Sequence, residues 1–265
     1  MKANINSVDI AYDDHGAGIP VLFLHAFPLN RSMWTALSNA LLNEGRYRLV
    51  ALDWRGFGES SPPDGVSTME LLADDVASLM DTLGIRQAVL CSLSMGGYVA
   101  FAFLRKYPQR VQGLILADTR SGADTDEAKA NRESVALLAL SQGAGAIADL
   151  QVPKLLSDYT RRHHPSVEQS VRQMIGTATP QGIAAASRGM ALRADSSDLL
   201  ASIACPTLVV VGEQDVLTPP AVAREYAAGI AGCRLAVIGD AGHLSCLEQE
   251  GAFLGVVREF LEGGF

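Results

Sequence analysis

The stretch Cys91-Ser92-Leu93-Ser94-Met95-Gly96-Gly97 follows a short apolar run, Ala88 to Cys91, and opens an amphipathic one, Tyr98 to Lys106. A serine on a sharp turn between a strand and a helix projects its hydroxyl above the sheet, beside a helix N-terminus that favours negative charge. Small neighbours are needed at such a turn because the strand and the helix approach each other closely. The stretch therefore predicts Ser94 as a nucleophile, although alone it also fits a helix that merely begins with small residues.

Strand-like and helix-like runs alternate on both sides of this turn, a pattern typical of a parallel sheet covered by helices. Val21 to Leu24 is a continuous apolar run, as expected of a strand buried on both faces. Met69 to Leu83 carries its apolar residues on one side and predicts a helix. The first two strands are expected to form an antiparallel hairpin at one edge. The predicted strands lie near Ile5 and at 8–12, 21–24, 48–52, 88–91, 111–117, 207–211 and 234–238.

The alternation stops between about Ser121 and Ser197. This segment contains several helix-like runs and no convincing strand. It is too long for an ordinary loop, and long insertions in enzymes are often lids. We therefore predict an α/β core formed by residues 1–120 and 197–265, with a helical cap at 121–196. The helices expected in the cap lie at 127–140, 144–156, 166–175 and 181–191.

Composition narrows the classes of function. The chain has 265 residues and a formal net charge of −8, which argues against a nucleic-acid groove. The N-terminal residues lack the apolar core of a signal peptide, and no apolar run approaches the length of a membrane span. We thus expect a cytoplasmic protein with no nucleic-acid or membrane partner, and we leave its oligomeric state open. No spacing of histidines and carboxylates suggests a metal site, and no cofactor is expected.

His25-Ala26-Phe27-Pro28 directly follows the predicted strand at Val21. Acyl transfer through a serine produces an oxyanion, which backbone N–H groups usually stabilise. Met95, the residue after the nucleophile, supplies one such donor, and Phe27 can supply the other. The alternative is a plain strand-to-helix turn in which the ring of Phe27 simply packs.

Two further segments follow predicted strands near the C-terminus. Asp215 lies in Val211–Pro219 and His243 ends Gly239–His243, so the candidate residues occur in the order serine, aspartate, histidine. A carboxylate just past a buried strand lies at the edge where open α/β folds place their sites. Asp118 also follows a strand and is the alternative acid, whereas Asp240 is more typical of a turn.

These segments together resemble the α/β-hydrolase superfamily over nearly the whole chain. Asp53-Trp54-Arg55-Gly56-Phe57-Gly58-Glu59-Ser60 is similar to the superfamily's DxRGxGxS turn, in which Asp53 and Arg55 would organise loops near the site. The resemblance implies a mostly parallel eight-stranded sheet flanked by helices, with the cap inserted after the sixth strand. It also implies roles for the candidates. Ser94 would be the nucleophile, His243 the general base, Asp215 the acid that orients it, and Phe27 and Met95 the oxyanion donors.

Two positions depart from the superfamily's pattern. Ser92 stands where the GxSxG turn usually has its first glycine, and Ala26 replaces the glycine that usually follows the histidine of the oxyanion loop. Both substitutes are small, so we expect altered loop geometry and a working site.

Within the superfamily, the chain looks most like oxoadipate enol-lactonases and small carboxylesterases. This implies a carboxylic ester hydrolase that cleaves a small ester or lactone through an acyl-enzyme. Cofactor-free perhydrolases, C–C bond hydrolases and a weakly catalytic ligand receptor on the same fold are the alternatives.

The cap has a single aromatic residue, Tyr159, and suits short acyl groups. Arg161, Arg162, His163 and His164 are either a solvated helix end or an anchor for a substrate carboxylate.

Overall fold

A single sheet of eight strands lies at the centre of the computed structural model, which describes residues 1–264. The strands are β1 (Lys2–Ile5), β2 (Val8–Gly16), β3 (Ile19–Leu24), β4 (Tyr47–Leu52), β5 (Ala88–Leu93), β6 (Val111–Ala117), β7 (Thr207–Gly212) and β8 (Arg234–Ile238). Their order is β1-β2-β4-β3-β5-β6-β7-β8. β2 pairs antiparallel with β1 and β4, and the other neighbours pair parallel. The mostly parallel sheet with an antiparallel edge is thus confirmed.

Burial explains why the central strands are continuous apolar runs. Every residue of β5 and β7 is buried, because helices cover the parallel part of the sheet on both faces. The covering helices are α1 (Thr35–Leu42), α2 (Met69–Thr82), α3 (Met95–Lys106), α8 (Pro220–Ala228), α9 (Ser245–Glu248) and α10 (Glu250–Glu262). Among them, α2 packs against α3 and α1 packs against α10.

Four helices lie between β6 and β7: α4 (Asp126–Leu155), α5 (Asp158–His163), α6 (Pro165–Gly176) and α7 (Pro180–Ala191). We call residues 121–196 the cap segment. Two predicted helices are joined in α4, whose backbone leaves the helical conformation at Gly143 (φ 78°, ψ −176°) and then resumes it. The sequence pattern missed α5, which has six residues and is too short to show a helical period. The division of the chain into a core and a cap domain stays a prediction.

Helix α4 differs from expectation in one further respect. Its length and its apolar composition would both allow it to cross a membrane. The amino-acid sequence predicts no apolar segment long enough for a membrane span. Helices in the cores of soluble proteins meet the same two criteria. In this chain α4 packs against α6 and α7, and Gly143 interrupts its helical backbone.

The turn at Ser94 joins β5 to α3 by a close approach of backbones. Ser94 has φ 54° and ψ −114°, outside the usual regions for a residue with a side chain. A Cβ atom on Gly96 would lie 2.1 Å from the carbonyl oxygen of Leu24 in β3, which no side chain permits. Ser92 fits at its position because its hydroxyl donates to the carbonyl of Ile115 at 2.8 Å. The glycine at 96 is therefore required, and serine at 92 is accommodated.

Gly96→Ala is expected to destabilise the fold, because α3 must move away from β3 to admit the methyl group. Overpacking of this kind costs about 1–3 kcal/mol in the free energy of unfolding. Gly255→Ala is the matched control, since a Cβ at Gly255 in α10 meets no atom within 4 Å. That change should be neutral or stabilise by up to about 1 kcal/mol. Urea unfolding of both variants measures the difference, and equal stabilities would contradict the proposed close approach.

Candidate active site

Three side chains from separate loops meet at the carboxyl edge of the parallel strands. Ser94 lies between β5 and α3, Asp215 follows β7, and His243 lies between β8 and α9. The Nε2 atom of His243 is 2.7 Å from the Ser94 hydroxyl oxygen, and its Nδ1 atom is 2.8 Å from Oδ2 of Asp215. With the proton on Nδ1, the ring donates to Asp215 and can accept the proton of Ser94. The structure therefore brings the three predicted residues into one hydrogen-bonded chain.

The Asp215 carboxylate is held by its own loop. Its Oδ1 atom accepts hydrogen bonds from the backbone N–H groups of Leu217 at 2.8 Å and Thr218 at 3.0 Å, and the Thr218 hydroxyl donates to Oδ2 at 2.5 Å. Burial alone would raise the pKa of Asp215, but His243 and Thr218 outweigh it and hold that pKa below its usual range. Burial conversely opposes a charge on His243, whereas Asp215 raises the pKa of the imidazole above its ordinary value. Asp215 is thus a carboxylate that favours positive charge on the ring.

Asp118, the alternative acid, is fully buried beneath the same loops. Its Oδ1 atom accepts a hydrogen bond from the N–H of Gly212 at 2.8 Å, and Oδ2 contacts the hydroxyl and N–H of Ser245. Within residues 1–264, no hydrogen bond joins Asp118 to the His243 ring. Burial, followed by the charge of Asp215, raises the pKa of Asp118. Asp118 therefore ties the loop after β7 to the loop that carries His243.

The two predicted oxyanion donors lie on either side of Ser94. Met95 is the first residue of α3, where a backbone N–H has no partner within the helix. Phe27 lines the same cavity as Ser94, in a loop where the Phe27–Pro28 peptide bond is cis. Across residues 1–264, neither N–H donates a hydrogen bond to another residue. Both groups are free to bind an oxyanion, and their roles stay a prediction.

His25 fixes the loop that carries Phe27. It is fully buried, and burial lowers its pKa to about 4, so that the ring is neutral near pH 7. Its Nδ1 atom lies 2.9 Å from the Ala26 carbonyl, while Nε2 accepts from the backbone N–H of Trp54 at 3.0 Å. The indole of Trp54 donates back to the His25 carbonyl at 2.9 Å. His25 thus joins the Phe27 loop to the loop after β4.

The loop after β4 is organised by the two residues that the resemblance singled out. Asp53 accepts hydrogen bonds from the backbone N–H groups of Arg31 at 2.7 Å and Glu59 at 2.9 Å. The Arg55 guanidinium makes two 2.6 Å hydrogen bonds to the buried carboxylate of Asp75. Asp53 thus holds the backbone of two loops, and Arg55 ties its own loop to α2, in keeping with a structural role.

Ser94 and His243 open onto a cavity of about 150 Å³. Residues of α4 form its roof, and the loops after the strands form its floor. Three cationic side chains line it, namely Arg120, Arg132 and Lys154. Sequence reasoning missed them, although one signal was present. Arg120 follows the end of β6 by a few residues and so had to lie near the same edge of the sheet as Asp118.

The basic residues that the sequence offered as an anchor lie elsewhere. Arg161, Arg162, His163 and His164 do not line the cavity that contains Ser94. Arg161 pairs with Glu168 at 3.3 Å, and the side chain of Arg162 is 75% exposed. These four residues belong to a solvated helix end, the first of the two roles that the sequence left open.

Comparison with known proteins agrees with this architecture. Residues 19–250 match the family model of the alpha/beta hydrolase fold. A thermophilic esterase from Thermogutta terrifontis, solved with malate bound, is 46% identical, with a TM-score of 0.95 over 99% of this chain and 98% of that one. The enol-lactonase from Burkholderia xenovorans is 31% identical, with a TM-score of 0.91 over 99% and 100% of the two chains. The 3-oxoadipate enol-lactonase 2 of Acinetobacter baylyi is 30% identical over 88% of this chain and 85% of its own.

The sheet order, the turn at Ser94 and these matches lead to one conclusion: the chain belongs to the alpha/beta hydrolase family.

Proposed function

We propose that this protein is a serine hydrolase that cleaves small carboxylic esters or (enol-)lactones through an acyl-enzyme. The observation that carries the proposal is the hydrogen-bonded chain from Ser94 through His243 to Asp215. Its similarity to a solved esterase and to enol-lactonases supports the substrate class. The roles of the individual residues are part of the proposal.

In the acylation step, the Ser94 oxygen attacks the substrate carbonyl carbon while its proton passes to Nε2 of His243. Asp215 keeps the imidazole in the tautomer that can accept this proton and stabilises the imidazolium that results. The carbonyl oxygen becomes an oxyanion, and the N–H groups of Phe27 and Met95 bind it. The bond to the leaving oxygen then breaks, and His243 returns the proton to that oxygen.

Deacylation repeats the sequence with water as the nucleophile. His243 takes a proton from water, the hydroxide attacks the ester carbonyl on Ser94, and the serine leaves with the proton that His243 returns. The product is a carboxylic acid. In a lactone, the leaving alcohol stays attached to the acyl chain, so that one hydroxy acid or keto acid is released.

The size of the cavity favours small substrates. Its volume is about 150 Å³, at the small end for a ligand pocket. That volume suits a short acyl chain or a single small ring.

The mechanism requires no cofactor. A cytoplasmic location, and the absence of nucleic-acid and membrane partners, stay predictions.

Ser94→Ala should lower ester turnover by a factor of about 10⁴ to 10⁶, because the attacking oxygen is lost. A fluorophosphonate should add its mass to the peptide that contains Ser94, which mass spectrometry detects. Ser92→Ala is the matched control, since the Ser92 hydroxyl bonds the Ile115 carbonyl and lies outside the cavity. That control should still be labelled at Ser94. Labelling at another residue would overturn the assignment of the nucleophile.

Asp215→Asn should lower kcat by about 10⁴-fold, because the amide favours the wrong tautomer of His243. Asp118→Asn should cost far less, because Asp118 makes no hydrogen bond to the His243 ring within residues 1–264, although the amide NH₂ group would face the N–H of Ser245. Steady-state assays of the two variants on one activated ester make the comparison. The reverse order of losses would make Asp118 the catalytic acid.

The pH dependence of kcat/KM tests the pairing between Asp215 and His243 in a second way. His243 must be neutral to act as a base, so kcat/KM should fall as the pH drops through its raised pKa. Asp215→Asn removes the charge that raises this pKa. In Asp215→Asn, the fall of kcat/KM on the acid side should therefore occur at a lower pH than in the wild type. An unchanged position of this fall would contradict the charge pairing between Asp215 and His243.

A further inference from the structure

The cavity beside Ser94 contains more positive than negative charge. Arg120, Arg132 and Lys154 line it, and Asp124 is the carboxylate among its lining residues. Nε of Arg132 donates to Oδ2 of Asp124 at 3.0 Å, and Nη2 of Arg193 lies 2.8 Å from its Oδ1 atom. The charge of Asp124 is therefore already shared by two arginines. Over residues 1–264, no carboxylate lies within ion-pair distance of Arg120 or Lys154.

Arg120 retains unused hydrogen-bonding capacity. Its Nε atom is buried and has no hydrogen-bond partner within residues 1–264. Its guanidinium contacts the hydroxyl of Tyr98, and the carboxylates of Asp124 and Asp215 act on it only from beyond ion-pair distance. A buried donor without an acceptor is unfavourable, and an arginine fork binds a carboxylate through two parallel hydrogen bonds. An anionic group on the substrate would supply both the missing charge and the missing acceptors.

We propose that Arg120 and Arg132 form a subsite for a carboxylate on the substrate, so that the natural substrate is a carboxylate-bearing ester or lactone. This inference rests on the proposed function. The net charge of the whole chain is −8, so a general attraction for anions does not explain a cationic cavity. Because Arg120, Arg132 and Ser94 line the same small cavity, the carboxylate and the scissile carbonyl belong to one small substrate.

Two esters of equal acyl length test the subsite: monomethyl glutarate, which is anionic, and methyl pentanoate, which is neutral. The wild type should show a kcat/KM at least about 10-fold higher for the anionic ester. Arg120→Gln and Arg132→Gln should each reduce this preference by about 10-fold, and Arg120→Lys should restore part of it. Arg162→Gln, an exposed cap arginine, is the matched control and should retain the preference. Equal rates on the two esters in the wild type would overturn the subsite.

A binding measurement separates this inference from the proposed function. Calorimetry with Ser94→Ala protein should detect monomethyl glutarate, and the additional change Arg120→Gln should weaken that binding by about 10-fold. Hydrolysis of methyl pentanoate without such binding would remove the subsite and leave the hydrolase intact. Failure to hydrolyse either ester would remove the proposed function, and the calorimetry would then judge the subsite alone.

A second inference comes from the buried carboxylate of Glu248, at the end of α9. Its Oε1 atom accepts hydrogen bonds from the N–H groups of Gly242 at 2.9 Å and Leu244 at 3.3 Å, the residues on either side of His243. Its Oε2 atom accepts from the N–H of Ser157, at the start of α5, at 2.8 Å. One side chain thus binds the backbone around His243 and the cap segment at the same time.

We infer that Glu248 is a positioning residue for His243. The imidazole must stay within hydrogen-bond reach of Ser94, and a displacement of about 1 Å at such a site can cost about 100-fold in rate. An amide cannot replace this carboxylate, because its NH₂ group would face a backbone N–H on one side. Glu248 acts through the backbone of the loop and touches neither the imidazole nor Ser94.

Glu248→Gln should lower kcat by about 10- to 100-fold with little change in KM, because binding is retained while proton transfer is misaligned. The rate of fluorophosphonate labelling at Ser94 should fall in parallel. Glu250→Gln, an exposed neighbour, is the matched control and should leave both rates unchanged. The assays are run well below the measured Tm of each variant. An unchanged kcat and labelling rate in folded Glu248→Gln would overturn the inference.

Discussion

The backbone of Ser94 lies at a positive φ, and the rest of the site is arranged around that constraint. A residue with a side chain in this conformation is strained by about 1–3 kcal/mol, so the surroundings must hold it there. β5 is fully buried between β3 and β6, the Ser94 N–H donates to the Ala117 carbonyl at 3.0 Å, and Gly96 packs directly on Leu24. The hydroxyl oxygen of Ser94 is thereby fixed above the sheet. The loops that carry Asp215 and His243 then complete the site by extending towards it.

Buried carboxylates fasten those loops. Asp53, Asp118 and Glu248 each accept hydrogen bonds from the backbone of a loop at the carboxyl edge of the sheet. Each of these carboxyl groups offers two oxygen atoms, so that one side chain can bind the backbone of two segments. Loops without regular structure can therefore be held as firmly as the strands that they follow, although none of these three side chains touches Ser94.

Local pattern was enough to predict the sheet and the central residues. β3, β5 and β7 are unbroken apolar runs, and Ser94 and Asp215 come at or just after the ends of such runs. The end of a parallel strand fixes where the next residue lies. Arg120 and Arg161 show where this reasoning stops. Arg120 lies two residues after Asp118 and Arg161 lies in the predicted cap, yet only the packing of the helices decides that Arg120 lines the cavity while Arg161 pairs with Glu168. The break in α4 at Gly143, by contrast, was predictable, since a glycine in a helical pattern usually indicates an end and the two predicted helices lie on either side of it.

Helix α4 has a consequence for how such a protein can diverge. Nearly half of the residues that line the cavity lie in this one helix, whereas Ser94, Asp215 and His243 lie on loops of the sheet. Much of the cavity lining and the hydrogen-bonded residues of the site therefore lie on separate stretches of the chain, although Arg120 lies on the loop after β6. Mutations in α4 can change the lining of the cavity while leaving the hydrogen-bonded chain from Ser94 to Asp215 in place. Such a scaffold is highly evolvable, because a duplicated gene can acquire a new substrate through mutations in α4 alone.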